Sequence, residues 1–229
     1  MGALAIRLRS PEYAELHKKL KRLGAKEFTD IDFMTLGKDR KNIIKFFEEQ
    51  GYNIDPRVAT LFGYKRHIYR NPKLGIYIDV FFDKLEMCHT IDFTKRLEID
   101  YPTIPLADLL LEKMQIVKIN EKDIKDSIVL LRAHDVGEND KNLVNAKYIA
   151  ELLAKDWGFW YTVTTNLKKL KAFLQRYDAL TSKDREDVSK KIKKILDYID
   201  KEPKTMGWKL RARIGSKKKW YRDVEEVSR

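Results

Sequence analysis

Two aspartates lie two residues apart in the segment 28–33, which reads Phe-Thr-Asp-Ile-Asp-Phe. Side chains alternate across a β-strand, so Asp30 and Asp32 are expected on one face and Ile31 and Phe33 on the other. Like charges at this spacing repel, and apolar neighbours raise the free-energy cost of keeping both carboxylates ionised. A bound cation relieves that cost, so this strand is a candidate metal-binding element.

A third carboxylate, Asp79, lies within the apolar run Ile76–Phe82, whose composition is typical of a strand. Asp79 shares its strand face with Tyr77 and Phe81. If this strand adjoins the first, three oxygen donors converge, and hard divalent cations such as Mg²⁺ prefer carboxylate and water oxygens. The alternative for the Asp-x-Asp pair is the solvated face of an edge strand, and the residues alone leave both interpretations open.

The composition indicates a folded protein with an excess of positive charge. The 229 residues are 43% hydrophobic and 11% aromatic, and they carry a formal net charge of +12. This charge favours a polyanionic partner such as a nucleotide or RNA. The absence of a bilayer-spanning apolar run and of a signal-peptide pattern predicts a soluble, cytoplasmic protein with no membrane partner. The single cysteine, Cys88, excludes an internal disulfide, and adjacent His89 would face the other side of a strand, which argues against a nucleophile–base pair.

The elements that must position the aspartates have recognisable patterns. Amphipathic helices with capping residues are predicted over 10–24 and 39–51. Four runs have the composition of strands, and a short Asn/Pro/Gly connection joins the first two as an antiparallel hairpin. These strand runs are 65–70, 76–82, 87–93 and 96–101.

After the strands, the apolar spacing changes from two residues to about 3.6 residues. A helix over 104–117 is expected to lie on the sheet, with Lys113 at the margin of its apolar stripe, where it either reaches solvent or returns to the site. Another helix is expected to begin near residue 120, and helical spacing continues beyond it. These patterns predict an α+β fold, with an α/β core over 1–118 and a helical region over 119–229 packed against it.

Taken together, the motifs resemble the nucleotidyltransferase-fold superfamily, which includes polymerase β, tRNA terminal transferases, minimal nucleotidyltransferases and abortive-infection-type toxins. The similarity is closest to an uncharacterised branch of predicted nucleotidyltransferases. It is good over roughly residues 1–135 and looser over the helical remainder. It implies a nucleotidyltransferase-type mixed or antiparallel sheet with flanking helices. The segments that carry it are 2–5, 29–33, 79–83, 104–117 and 120–123.

The resemblance implies a role for each matching residue. Asp30 and Asp32 match the aspartates that bind the metals carrying the nucleoside triphosphate. Asp79 matches the third carboxylate, which completes the metal site and accepts the proton of the attacking hydroxyl. Gly2 and Ala3 match a pair of small residues at a helix start that contacts the triphosphate.

Two further residues complete the nucleotide-binding set that the resemblance implies. Thr29 opens the Asp-x-Asp motif, and Lys113 matches a lysine on the helix after the sheet in the toxin-like branches. Those branches also have a Lys-Asp-x-x-Asp run, present here at 122–126, with Asp123 and Asp126 on one helix face.

The activity implied is a magnesium-dependent nucleotidyltransferase with a two-metal site, which moves a nucleoside monophosphate from a triphosphate to a hydroxyl of a protein, an RNA end or a small molecule. The alternative is a catalytically weak scaffold of the same fold that binds nucleotide, RNA or a protein partner. The start of the chain favours the alternative: Ala3 replaces a second Gly or Ser, the spacing to Asp30 is long, and the chain begins where the family has a preceding helix, so a shortened start is expected. A toxin with an antitoxin-like partner is a third interpretation.

Overall fold

A computed structural model describes residues 1–24 and 28–224 of the chain. The described helices are α1 (Gly2–Arg9), α2 (Ala14–Lys19), α3 (Arg40–Glu49), α4 (Pro56–Phe62), α5 (Leu106–Met114), α6 (Glu121–Ala133), α7 (Ala146–Leu153), α8 (Trp157–Phe173), α9 (Ser182–Lys201) and α10 (Met206–Ile214). The described strands are β1 (Asp30–Thr35), β2 (Asn53–Ile54), β3 (Arg66–Asn71), β4 (Ile76–Phe82), β5 (Lys84–Glu86), β6 (Thr90–Asp92), β7 (Val136–Gly137) and β8 (Val144–Asn145).

The fold is α+β, as predicted, and its main sheet is mixed. Four strands lie in the order β1-β4-β3-β2. The pairing of β3 with β4 is antiparallel, which confirms the predicted hairpin, whereas β1 pairs with β4 in parallel. The strand that contains the Asp-x-Asp pair is therefore a neighbour of the strand that contains Asp79.

The two faces of this sheet are covered by different helices. On one face, Ile78, Val80 and Tyr69 pack against Phe47 of α3 in a small apolar cluster. On the other face, Phe81 belongs to a much larger core that includes residues of α1, α5 and α6. The aspartates share this second face with Phe81, so the helices that border the site are α1 and α5.

The larger core crosses the predicted boundary at residue 118. It contains Phe81 and Leu109 from the first segment together with Ile149 and Ile195 from the second. The division into 1–118 and 119–229 stays a prediction, and residues 225–229 lie outside the described part. Among the described residues, the helices include none with the length and apolar character that a membrane crossing requires.

Some predicted elements differ from the structure. The segment 96–101 is irregular and not a strand, because its side chains are drawn into ion pairs: Arg96 donates to Asp108 at 2.6 Å, and Asp100 accepts from Arg9 at 2.6 Å. The predicted strand 87–93 is a turn followed by the short β6, which pairs with β5.

Helix α2 begins after a single 3₁₀ turn at Pro11–Tyr13 and ends at Lys19, earlier than Gly24. The sequence reading passed over α4, which follows Asp55 and has proline at its first position. It also passed over β7 and β8, which are two residues each and too short to produce an alternating pattern.

Candidate metal centre and phosphate cavity

The parallel pairing of β1 with β4 brings the three predicted carboxylates together. Asp32 lies opposite Asp79 in the register, and Asp30 lies opposite Tyr77. One oxygen from each of Asp30, Asp32 and Asp79 lies within 4.8 Å of the other two. One divalent cation can bridge such a set after small side-chain adjustments, since Mg²⁺ and Ca²⁺ bond to oxygen at about 2.1 to 2.6 Å. The donor set is all oxygen, which suits a hard cation.

Asp79 is the most deeply placed of the three carboxylates. It is 1% exposed, and its Oδ1 accepts from Arg66 Nε at 3.2 Å and lies 2.9 Å from Arg66 Nη2. The Arg66 guanidinium also lies over the ring of Phe81, 5.0 Å from its centroid. A buried carboxylate needs a compensating charge, and Arg66 on β3 supplies one beside the candidate metal position.

Asp32 has the electrostatics of a carboxylate that gains from a cation. Burial raises its pKa above the ordinary value, and the neighbouring charges of Asp30 and Asp79 raise it further, while Lys113 opposes them. Both causes disfavour the ionised form. A bound divalent cation would reverse this balance, because it stabilises the charge that burial and repulsion penalise.

Helix α1 begins directly against Asp32. Gly2 has φ of +74°, and a Cβ built on it would lie 2.2 Å from Asp32 Oδ2. Only glycine combines that backbone conformation with so close an approach. Ala3 is buried just behind it. The predicted small-residue pair therefore does stand at a helix start beside the aspartates, although the sequence separation is long.

Lys113 lies on α5 and is buried, not at a solvent-facing margin. Its Nζ lies 3.4 Å from Asp126 Oδ2, 3.5 Å from Asp123 Oδ1 and 3.9 Å from Glu112 Oε1. Burial lowers its pKa, but Asp126, Glu112 and Asp123 more than offset this, so the pKa lies above its ordinary value and the ammonium stays charged. Asp123 and Asp126 thus lie on one face of α6, as their spacing predicts, and both carboxylates lie near the Lys113 ammonium.

Sequence reasoning missed Glu112. Its Oε1 accepts the Gly2 N–H at 2.9 Å, across 110 residues of sequence. Its Oε2 has no hydrogen-bond partner within the described ranges. Burial raises the pKa of Glu112 to about 7, against the opposing charge of Lys113. The available signal was an acidic residue in the otherwise apolar run 109–112, next to the lysine that the resemblance singled out.

Two cavities border these residues. One, of about 180 Å³, is lined by Gly2, Asp32, Glu112, Lys113 and Asp123, together with Met1, Phe81, Leu85, Met87 and Ile116. The other, of about 640 Å³, is larger, and its lining includes Asp30. The remaining residues of that lining are Leu4, Phe28, Thr29, Ile31, Gly75, Ile76 and Tyr77.

The predicted site residues therefore fall into two groups around the carboxylates. Gly2 and Lys113 border the small cavity on the Asp32 side. Thr29 borders the larger cavity on the Asp30 side and is exposed. Such a division provides a charged compartment next to one with several apolar and aromatic walls, which suits a ligand with an anionic end and a ring system.

Cys88 and His89 do not form a reactive pair. Both are buried, and the His89 ring nitrogen Nε2 lies 2.9 Å from the Thr162 hydroxyl, with the ring stacked on Phe159. Burial lowers the pKa of His89 to about 4, so the imidazole is neutral at physiological pH. The role of this histidine is packing between the sheet region and α8.

Comparison with known proteins adds no name to this geometry: no protein-family model matches the chain, and neither a curated protein nor a solved structure matches it.

Proposed function

We propose that the protein is a divalent-metal-dependent nucleotidyltransferase, which moves a nucleoside monophosphate from a nucleoside triphosphate to an acceptor hydroxyl. The observation that carries the proposal is the convergence of Asp30, Asp32 and Asp79 from two adjacent strands, with their oxygens within 4.8 Å. A second, independent observation supports it. The buried Glu112 carboxylate, whose Oε2 has no partner among the described residues, borders a cavity shared with Asp32 and Lys113.

Each carboxylate has a distinct task in this proposal. Asp30 and Asp32 hold the magnesium ions, and Asp79 completes the set from the neighbouring strand. Magnesium at this position supplies neutralisation of the phosphates and of the charge that develops during transfer. The acceptor oxygen forms a bond to the α-phosphorus as the bond to the β-phosphate bridging oxygen breaks. Asp79 receives the proton of the acceptor hydroxyl, and pyrophosphate leaves.

The remaining predicted residues bind the two ends of the nucleotide. The phosphates lie in the small cavity, where the N-terminus of α1 at Gly2 and Ala3 and the Lys113 ammonium provide positive charge. The base and ribose lie in the larger cavity, beside Thr29 and the aromatic ring of Tyr77. This arrangement contributes mainly position and charge, which are the chief requirements of phosphoryl transfer.

One observation favours the second candidate, a catalytically weak scaffold of the same fold that binds nucleotide, RNA or a protein partner. Arg66 pairs with Asp79 at 2.9 Å, and this cation competes with a metal ion for the same carboxylate. Under this reading, nucleotide binds and transfer is slow. The acceptor in the first reading is a protein side chain, an RNA end or a small molecule, and growth arrest on expression would identify the toxin form with its antitoxin-like partner.

The test is calorimetric titration of each nucleoside triphosphate, with magnesium and with EDTA, into three proteins. These are the wild type, an Asp30→Ala/Asp32→Ala variant and a matched control, Asp197→Ala/Asp200→Ala. The control removes the same two charges from exposed positions of α9.

We expect the wild type and the control to bind the nucleoside triphosphate in magnesium but not in EDTA. The Asp30→Ala/Asp32→Ala variant should not bind it in either condition. Pyrophosphate release with an added acceptor pool then separates transferase from scaffold. Equal binding by all three proteins would contradict the assignment of the site.

A further inference from the structure

One oxygen of Glu112 occupies a position with the surroundings of a bound phosphate oxygen. Oε1 accepts the Gly2 N–H at the start of α1 at 2.9 Å and lies 3.9 Å from Lys113 Nζ. A backbone N–H at a helix N-terminus and a lysine ammonium are groups with which proteins commonly hold phosphate. In the free protein, a carboxylate of the chain itself makes both contacts.

The other oxygen of Glu112 also indicates that a ligand binds here. Glu112 is 7% exposed, and its Oε2 lacks a hydrogen-bond partner in the part of the chain that the structure describes. Buried polar atoms in folded proteins nearly always have partners, so such an atom beside a cavity calls for an explanation. The cavity measures about 180 Å³, which is several times the share of liquid volume of a water molecule, about 30 Å³.

The charges around this cavity would oppose an added anion while Glu112 stays in place. Among the described lining residues, Asp32, Glu112 and Asp123 contribute three carboxylates, against two ammonium groups, those of Lys113 and of the Met1 α-amino group. A phosphate that enters beside Glu112 meets like charge at short range. A phosphate that replaces Glu112 at Gly2 and Lys113 gains both favourable contacts and removes the repulsion.

We propose that Glu112 holds the place of the terminal phosphate of the nucleotide in the free protein, and that the phosphate must displace the Glu112 carboxylate to bind. This inference rests on the proposed function and identifies the residue that sets phosphate affinity at that site. It makes the site selective: a polyphosphate with bound magnesium displaces Glu112, whereas a monophosphate, with less binding energy, does not. Glu112 is here a specificity residue and does not touch the reacting atoms.

The experiment is calorimetric titration of magnesium tripolyphosphate, magnesium ATP and AMP into the wild type, Glu112→Gln and a matched control. Glu151→Gln is the control, because it removes the same charge from an exposed position on α7, outside the cavity lining. At pH 8, above the Glu112 pKa of about 7, Glu112→Gln should bind tripolyphosphate and ATP about tenfold more tightly, because the Gly2 N–H and the Lys113 ammonium hold a neutral amide less strongly than a carboxylate and release it more readily. The affinity for AMP should rise by a larger factor than the affinity for ATP, so the variant should prefer the triphosphate less than the wild type does. The affinities of Glu151→Gln should equal those of the wild type.

A second variant protects the test against a folding defect. Glu112→Asp keeps the charge but shortens the side chain by one methylene, so its hold on the Gly2 N–H weakens. Tighter binding, by about threefold, is expected there too. Unchanged or weaker binding of tripolyphosphate by both Glu112 variants, with normal binding by the wild type, would overturn the inference and leave the proposed function standing. No binding of ATP or tripolyphosphate by any of the proteins would overturn both.

Discussion

At the scale of single residues, the site is costly to the protein that carries it. Asp32 has a pKa raised by burial and by Asp30 and Asp79, so its ionised form is held against a free-energy penalty. A residue that served only stability would not be an aspartate at this position. The penalty can be measured, because it should disappear with the charge.

Replacement of Asp32 by Asn should raise the free energy of unfolding in EDTA by about 1 kcal/mol, because it removes repulsion and leaves the size of the side chain unchanged. The wild type should gain stability when magnesium is added, by about 2.7 kcal/mol at one hundred times the dissociation constant, and the variant should gain almost none. Urea denaturation with and without magnesium measures both effects. Asp197→Asn, at an exposed position of α9, is the control. A clear loss of stability in EDTA would count against a repulsive site.

At the scale of secondary-structure elements, the site depends on three strands and not only on the two that carry aspartates. Strand β3 contributes Arg66, which pairs with Asp79 on β4 at 2.9 Å. The hairpin β3–β4 therefore brings its own cation to the third carboxylate. This cation balances the charge of Asp79, and it would compete with a metal ion for the same carboxylate.

Replacement of Arg66 by Met should lower the stability of the metal-free protein by about 2 kcal/mol, since it removes the ion pair of a buried carboxylate. Magnesium should restore much of this loss, and the apparent magnesium affinity should rise because the competing cation is gone. Thermal unfolding across a magnesium series measures both quantities. Arg70→Met, from an exposed position on the same strand, should change neither by much. An equal loss at every magnesium concentration would indicate a purely structural role for Arg66.

The sequence predicted those elements that leave a local pattern. The Asp-x-Asp strand, the hairpin that carries Asp79 and the helix over 104–117 were predicted from alternation, turn residues and apolar spacing, and the structure contains all three. That β1 adjoins β4 was only a condition of the metal-site prediction, and their parallel direction was not predicted, because no turn connects them and the intervening chain gives no sign of register. The structure shows that the two strands do pair, which brings the three carboxylates within 4.8 Å.

The surroundings of Lys113 were the main gap in the site. Its place beside Met114 predicted a position at the margin of the apolar stripe of the helix. In the structure, Asp123 and Asp126 of α6 and the neighbouring Glu112 surround it in a buried charged cluster. Glu112 itself depends on Gly2, which is 110 residues away in the sequence. Contacts of this range have no periodic signature in a single sequence.

At the scale of the whole molecule, one buried cluster of charges connects four helices. Asp126 on α6 accepts from His17 on α2 and from Arg22 just after α2, at 2.9 Å each, and its Oδ2 lies 3.4 Å from Lys113 Nζ on α5. Burial would raise the pKa of Asp126, but Lys113, His17 and Arg22 outweigh it and hold the pKa at about 2. Glu112, in the same cluster, extends it to the start of α1. The small cavity is thus one end of a network that runs into the core.

Replacement of Lys113 by Met should weaken magnesium ATP binding and lower stability by about 3 kcal/mol at pH 8, because it leaves buried carboxylates without their shared cation. The loss should shrink as pH falls. Without Lys113, the folded-state pKa of Glu112 should rise beyond about 7, and those of Asp123 and Asp126 should rise as well. When a carboxyl has a higher pKa in the folded state than in the unfolded state, the free energy of unfolding falls as pH rises from the unfolded-state pKa to the folded-state pKa.

Urea denaturation of the Lys113→Met variant at pH 5 and pH 8 checks this sign. The matched control is Lys118→Met, from an exposed position just beyond α5. A stability loss that is the same at both pH values would show that Lys113 contributes through packing and not through charge. A stability loss that is larger at pH 5 than at pH 8 would contradict the proposal that Lys113 stabilises ionised carboxylates.

The parallel pairing of β1 with β4 also determines which changes in chain length the protein can tolerate. Between these strands, the backbone leaves the sheet edge through α3 and returns through β2, α4 and β3. Extra residues in the loops of this connecting segment would move neither Asp32 nor Asp79, because β1 and β4 pair directly through their own hydrogen bonds. Deletion of one residue within β4 before Asp79 would turn its carboxylate to the opposite face of the sheet. Homologues should therefore vary in length between residues 36 and 65, and loops grafted into this connecting segment of an engineered variant should be tolerated.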